Sequence, residues 1–105
     1  MAYKTYTIGI GRNIGKAPMS SSRWKEFQSG VLWAVRSCHI EVFSHARGAG
    51  KWQGNREDCA TIVAGGELSE TVLAVLKGML GRLARNFGQD AIALTIGETE
   101  FIKGV

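Results

Sequence analysis

No apolar run in this 105-residue sequence approaches the roughly 20 residues needed to span a bilayer. The opening Met1-Ala2-Tyr3-Lys4-Thr5 has no apolar core of the kind a secretory signal needs. A cytoplasmic location is the expectation. Cysteine is scarce. Cys38 and Cys59 each sit in an apolar segment, where a free thiol behaves as a small hydrophobe. A disulfide between them is not expected in a reducing compartment. No CxxC pair or Cys/His cluster at ligand spacing occurs, so no metal site and no cofactor are read. His39 adjoins Cys38, but neighbours along a strand point to opposite faces.

Histidine is equally scarce, with only His39 and His45. A two-histidine phosphoesterase would carry a repeated His-x-Thr or His-x-Ser pattern. Here the neighbours are His39-Ile40-Glu41 and His45-Ala46-Arg47. His45 beside Glu57 or Glu41 is left as a candidate general base, and a small phosphoesterase is the third-ranked reading. Glu57 and Asp58 are adjacent acids, but strand alternation separates their side chains. Acid is also thin in the first half. Residues 1–56 carry nine basic and two acidic side chains, a net of +7, and residues 57–105 carry four and seven, a net of −3. A domain polarised in this way favours an anionic partner on one side.

What is present reads as one domain spanning residues 1–105, with an ordinary 45% of apolar residues. Tyr6, Ile8 and Ile10 alternate with Thr5, Thr7 and Gly9, which predicts a strand over 3–12. A glycine-rich loop follows through Pro18. Ser20, Ser21 and Ser22 offer an N-cap, and the spacing predicts a helix over 23–37. Its buried stripe is Trp24, Phe27, Val31, Ala34, Val35 and Cys38, with Trp33 on the opposite side. A second strand is expected over 40–46 and a polar, glycine-rich hairpin loop over 47–56. The returning strand covers 57–64. Ser69 caps a second helix to about Asn86, with Val72, Leu76, Met79, Leu80, Leu83 and Phe87 buried and Gly88 past its end. A last strand covers 91–96, and Thr99–Ile102 offers a short fifth strand at an edge.

The order βαββαβ is the split, ferredoxin-like arrangement, an α/β (α+β) fold with a four-stranded antiparallel sheet and two helices on one face. The other face must be wet or covered by a second copy. Tyr3, Thr5, Thr7 and Phe43 lie on it, a mixture that leans toward a homo-oligomer. This layout brings 12–16, 47–56 and 82–88 to one end. Arg12, Asn13, Lys16, Arg47, Lys51, Trp52 and Arg56 are the candidate ligand-binding residues, with Arg82 and Arg85 at the same end. Glycine-rich backbone and helix N-termini both suit anions.

Gly9-x-Gly11-x-x-x-Gly15 follows a strand and precedes a helix, but it is neither the dinucleotide fingerprint nor a Walker loop. Its glycines read as turn and close-packing residues, with a general anion loop as the alternative. Trp52 in a basic loop could stack on a base or anchor a partner, or fold back to shield the sheet. Trp33 is the candidate protein-contact residue, or else is covered by the C-terminal segment. Asp58-Cys59-Ala60-Thr61-Ile62-Val63 lacks the aromatics of an RNA-reading sheet, so sequence-specific nucleic-acid binding is not expected.

The run Tyr6-Thr7-Ile8-Gly9-Ile10-Gly11-Arg12-Asn13-Ile14-Gly15, with Pro18-Met19-Ser20 and Trp24, resembles small uncharacterised proteins of bacteriophages and their actinobacterial hosts. Gly48-x-Gly50-x-Trp52-x-Gly54-x-x-Glu57 and Gln89-Asp90-Ala91-Ile92-Ala93-Leu94 are similar to the same set. The resemblance implies a phage accessory protein, of a sort that blocks a host defence by binding a defence protein or sequestering a nucleotide signal. It assigns no activity and no functional residue. The leading expectation is a non-enzymatic binder of a small anionic, nucleotide-like ligand. The alternative is a protein-interaction inhibitor of a host protein.

Overall fold

The structure is a computed structural model and describes residues 3–104. Met1, Ala2 and Val105, the ends of the expected 1–105 domain, lie outside the described residues. The elements run β1 (Lys4–Gly11), β2 (Asn13–Ile14), β3 (Ala17–Pro18), α1 (Ser21–Ser37), β4 (Glu41–Trp52), β5 (Asn55–Gly66), α2 (Glu70–Asn86) and β6 (Ala93–Glu98). Four of them form one antiparallel sheet in the order β4-β5-β1-β6, and β2 and β3 pair as a small hairpin of their own.

The alternation in β1 has the expected consequence. Tyr6, Ile8 and Ile10 are buried and lie opposite Ala64, Ile62 and Ala60 of β5, which are buried too. Directly paired residues of antiparallel strands share a face, so these six make one apolar surface. Both helices contribute to the core cluster that contains it. Trp24, Phe27, Val31, Ala34, Val35 and Cys38 come from α1, and Leu76, Leu80 and Phe87 from α2. Phe27 and Phe87 stack with centroids 4.9 Å apart and tie the two helices together. Burial pushes the Cys38 thiol above its ordinary pKa.

The helix ends follow local chemistry. Ser20 Oγ accepts from the Arg23 amide and Ser69 Oγ from the Val72 amide, each at 3.2 Å. At the end of α2 the Gly88 amide donates to the Arg85 carbonyl and the Gln89 amide to the Ala84 carbonyl. That is a Schellman closure, and Gly88 adopts the positive φ it requires.

Three segments differ from the sequence expectation. The stretch 47–56 is not a loop. It is the outer half of a long hairpin in which β4 and β5, 12 residues each, stay paired from Gly48↔Cys59 to Trp52↔Asn55. Gln53 and Gly54 both take positive φ, as a two-residue type I′ turn demands. Strands of this length reach about 40 Å, which accounts for the 46 Å long axis of the molecule. The loop after β1 also contains regular pairing, Asn13↔Pro18 and Ile14↔Ala17. Finally, 99–104 forms no strand. The Thr99 amide donates to the Tyr3 carbonyl and the Thr5 and Thr99 hydroxyls bond, after which pairing stops.

Candidate ligand-binding site

One face of the sheet carries the core. The other is unusually bare at its β1 C-terminal end. Gly9 lies opposite Thr61 and Ala93, Gly11 opposite Cys59, Gly48 opposite Cys59, and Gly50 opposite Glu57. These glycines of β1 and β4 project no side chain, so the floor is glycine backbone on either side of the Glu57, Cys59 and Thr61 side chains of β5. A cavity of about 610 Å³ opens above it. Its walls are the β2–β3 turn (Asn13, Lys16), the hairpin tip (Lys51, Trp52, Asn55) and the α2–β6 loop (Gln89, Asp90). All three segments expected to converge reach it, the third only through Gly88, and the rest of that side is made by Gln89, Asp90 and Ala91.

Glu57 occupies the middle. Its carboxylate occupies the space a Cβ on Gly11 would take, so any larger residue there would push the Glu57 carboxylate aside. Glu57 Oε2 accepts the Asn13 amide at 2.9 Å. The Asn13 carbonyl accepts from Gln89 Nε2 at 2.8 Å, and Asn13 Nδ2 donates to the Arg56 carbonyl at 3.2 Å. These bonds join all three walls. A Cβ on Gly9, by contrast, would meet only Ala93 Cβ at an ordinary 3.7 Å. Cys59 also lines the cavity and is a free, partly exposed thiol.

The candidate residues fall into three groups. Asn13, Lys16, Lys51 and Trp52 line the cavity, and Trp52 remains half exposed there. Arg12 and Arg56 flank it, Arg56 contributing its carbonyl to Asn13. Arg12 is engaged within the fold. Its Nη1 pairs with Asp58 at 3.1 Å, and its Nε donates to the Met19 carbonyl at 2.9 Å. Arg47 lies on the core side of the sheet, opposite buried Ala60. It lines a separate hollow with His45 and α1. Arg85 borders a third hollow between α2 and β6. Trp33 stands on the outer side of α1, two-thirds exposed. Glu57 and Asp58 diverge as alternation requires, one into the cavity and the other to Arg12.

The charge in the cavity is mixed. Lys16 and Lys51 face Glu57 and Asp90. Sequence reasoning did not place Glu57, Gln89 and Asp90 in the site, because only strand pairing and the closure after α2 bring them there. It read Gly9 as a close-packing residue, Gly11 as a turn former and Gly48 and Gly50 as part of a loop, although their even spacing along each strand puts them on one face. Among the described residues no group of three or more His, Cys, Asp and Glu side chains is placed to hold a metal, and no helix is long and apolar enough to cross a membrane.

No protein-family model matches the sequence, and no curated protein resembles it closely enough to count as a relative. Solved structures do share its fold. A phage SAM lyase in complex with S-methyl-5′-thioadenosine superposes with a TM-score of 0.64 at 17% identity, covering 92% of this chain and 81% of that one. The same enzyme type in its apo state gives a TM-score of 0.64, again at 17% identity, over 90% and 79% of the two chains. At that identity the likeness shows the fold, an α+β arrangement also used by a phage protein.

Proposed function

We propose that the protein binds a small adenosine-type ligand carrying both signs of charge, such as S-adenosylmethionine, in the glycine-floored cavity, and does so without turning it over. The carrying observation is the floor. Gly9 and Ala93, side by side on β1 and β6, leave nearly bare backbone against which a planar ring can lie, and Trp52 lines the same cavity and can stack. The mixed walls select the ligand further. Glu57 and Asp90 would repel a polyphosphate but suit a sulfonium or ammonium, while Lys16 and Lys51 suit a carboxylate. The likeness to a phage SAM lyase that holds a thioadenosine supports the same ligand class. A phage accessory role, with the ligand removed from a host defence, fits this reading.

We read the fold as ferredoxin-like with both helices on one face, since β6-β1-β5-β4 is the order a split βαβ chain gives. We also read the protein as a homo-oligomer. The cavity is open along the sheet, and the aromatic cluster on the same face offers a second copy a place to sit.

Calorimetry with S-adenosylmethionine and S-methyl-5′-thioadenosine tests the reading, with chromatography to follow the parent compound. Saturable binding that protects Cys59 from thiol reagents is expected, with the parent intact. Gly9→Ala, which adds one methyl to the floor, should weaken binding about tenfold and leave the thermal midpoint unchanged or slightly raised. No binding of either compound would sink the ligand assignment, and loss of the parent would make the protein an enzyme. The interaction-inhibitor alternative has its own observation in the exposure of Trp33. It would be favoured if Trp33→Ala, and not Gly9→Ala, abolished biological effect.

A further inference from the structure

The core side of β4 presents a second polar hollow, unrelated to the cavity. His45 and Arg47 are two residues apart and lie opposite Ile62 and Ala60, so both point to the α1 side. There they meet Lys25, Gln28, Ser29 and Leu32, which follow the i, i+3, i+4, i+7 spacing of one helix face. The hollow is about 260 Å³. No acidic residue lines it. Glu26 is paired with Arg23 at 3.7 Å, and Glu41 lies opposite Gly65, on the other side of the strand from His45. Among the described residues Lys25 and Arg47 have no salt bridge.

The floor of this hollow is built. Gln28 is a buried polar side chain within the apolar stripe of α1, 5% exposed. A buried amide is costly unless both its ends are bonded. Its Nε2 donates to the Trp24 carbonyl at 3.3 Å, so its Oε1 is the end turned outward. That oxygen contacts His45 Nε2 at 2.8 Å. An amide oxygen only accepts, so His45 Nε2 carries a hydrogen and the ring is held in one orientation. The groups facing the ring from both elements, Lys25 from α1 and Arg47 from β4, are cationic.

We propose that Lys25, Ser29, His45 and Arg47 form a phosphate-binding site, fixed by Gln28, for a free phosphate or the terminal phosphate of a small molecule. A guanidinium offers paired N–H donors to phosphate oxygens, a lysine adds a point charge, and a serine hydroxyl adds a neutral donor. The hollow suits one such group and its near neighbours in volume. It differs from the glycine-floored cavity in carrying one sign of charge, so the two sites select different ligands. The inference does not depend on the adenosine-ligand reading.

Titration of the intact protein with inorganic phosphate at constant ionic strength, followed by the His45 ring-proton NMR signals, tests it. A saturable shift is expected, with half-saturation below about 20 mM, and chloride at matched ionic strength should not reproduce it. Arg47→Ala and Lys25→Ala should each raise the half-saturation concentration about tenfold or more. Lys51→Ala, which changes only the other cavity, should leave it unaltered. Arg47→Lys separates geometry from charge, since it keeps the charge and the fold but loses the paired donors, and only partial binding is expected. A linear, unsaturated shift equal for chloride and phosphate would overturn the proposal. So would a single-stranded oligonucleotide that binds more tightly than phosphate and is weakened equally by Lys51→Ala, which would make the face a nucleic-acid track.

Discussion

Arg12 connects β1 to the start of α1 through Met19 and to β5 through Asp58. Its side chain is one-fifth exposed, whereas that of Asp58 is mostly exposed. The ion pair alone is therefore worth little. The bond to the Met19 carbonyl matters more, because that carbonyl ends the small β2–β3 hairpin beside buried Met19. Arg12→Ala should destabilise the protein by about 1–2 kcal/mol, read from urea unfolding. Arg47→Ala, with no such bonds, should change stability by less than about 0.5 kcal/mol. In the sequence these two arginines look alike, each a cation in a glycine-rich stretch. Their difference rests on Asp58, 46 residues from Arg12, and on the register that brings β5 alongside. Local pattern carries no such information. Glu57 was obscured for the same reason, since only pairing places its carboxylate over Gly11.

Elements with a strong period were legible, and the hairpin tip was not. Both helices, their serine caps and the Gly88 closure follow from spacing and local hydrogen bonding, and β1 follows from strict alternation. The outer half of β4 and β5 has three glycines and few β-branched residues, which reads as loop on propensity. It is held as strand by ladder pairing and by a turn that suits the twist of the flanking strands. Gln53 tolerates positive φ less well than Asn, and Gly54 tolerates it freely. Gly54→Val should therefore fray the tip. Amide exchange across 48–57 should rise by about tenfold, while protection of Ile8, Ile62 and Val31 stays unchanged. Because Lys51, Trp52 and Asn55 form one wall of the cavity, adenosine-ligand affinity should fall in the same variant. Unaltered exchange at the tip would mean that the turn does not govern the arm. Gln53→Asn should act in the opposite sense, adding a few tenths of a kcal/mol.

At the scale of the whole molecule, one face of the sheet carries the buried Tyr6, Ile8, Ile10, Ala60, Ile62 and Ala64 of the core, and the other carries residues that are mostly half-buried. This second face is apolar at one end and polar at the other. At the apolar end Tyr3 stacks with Phe43 at 6.4 Å and meets Phe101 edge-on at 4.9 Å, and Gly65 has no side chain so that both Tyr3 and Phe43 can lie against it. Phe101 is 63% and Ile102 81% exposed. Aromatic and aliphatic groups gathered in this way are rarely left in water on a stable monomer. The cluster shares its face with the cavity, so a second copy seated on it would also roof the glycine floor and exclude water from Glu57. On the proposed reading assembly and ligand binding would be linked, because anything that binds an assembled form preferentially shifts the equilibrium toward it. Sedimentation across the micromolar range should show an oligomer for the wild type. Phe101→Ser with Ile102→Ser should shift it to monomer while the circular dichroism of the sheet and helices is retained. Adding S-adenosylmethionine should drive the wild type further toward the oligomer and weaken in effect when the double variant is used. A wild type that sediments as monomer with and without ligand would leave this face as a site completed by a different protein, and would favour the interaction-inhibitor reading.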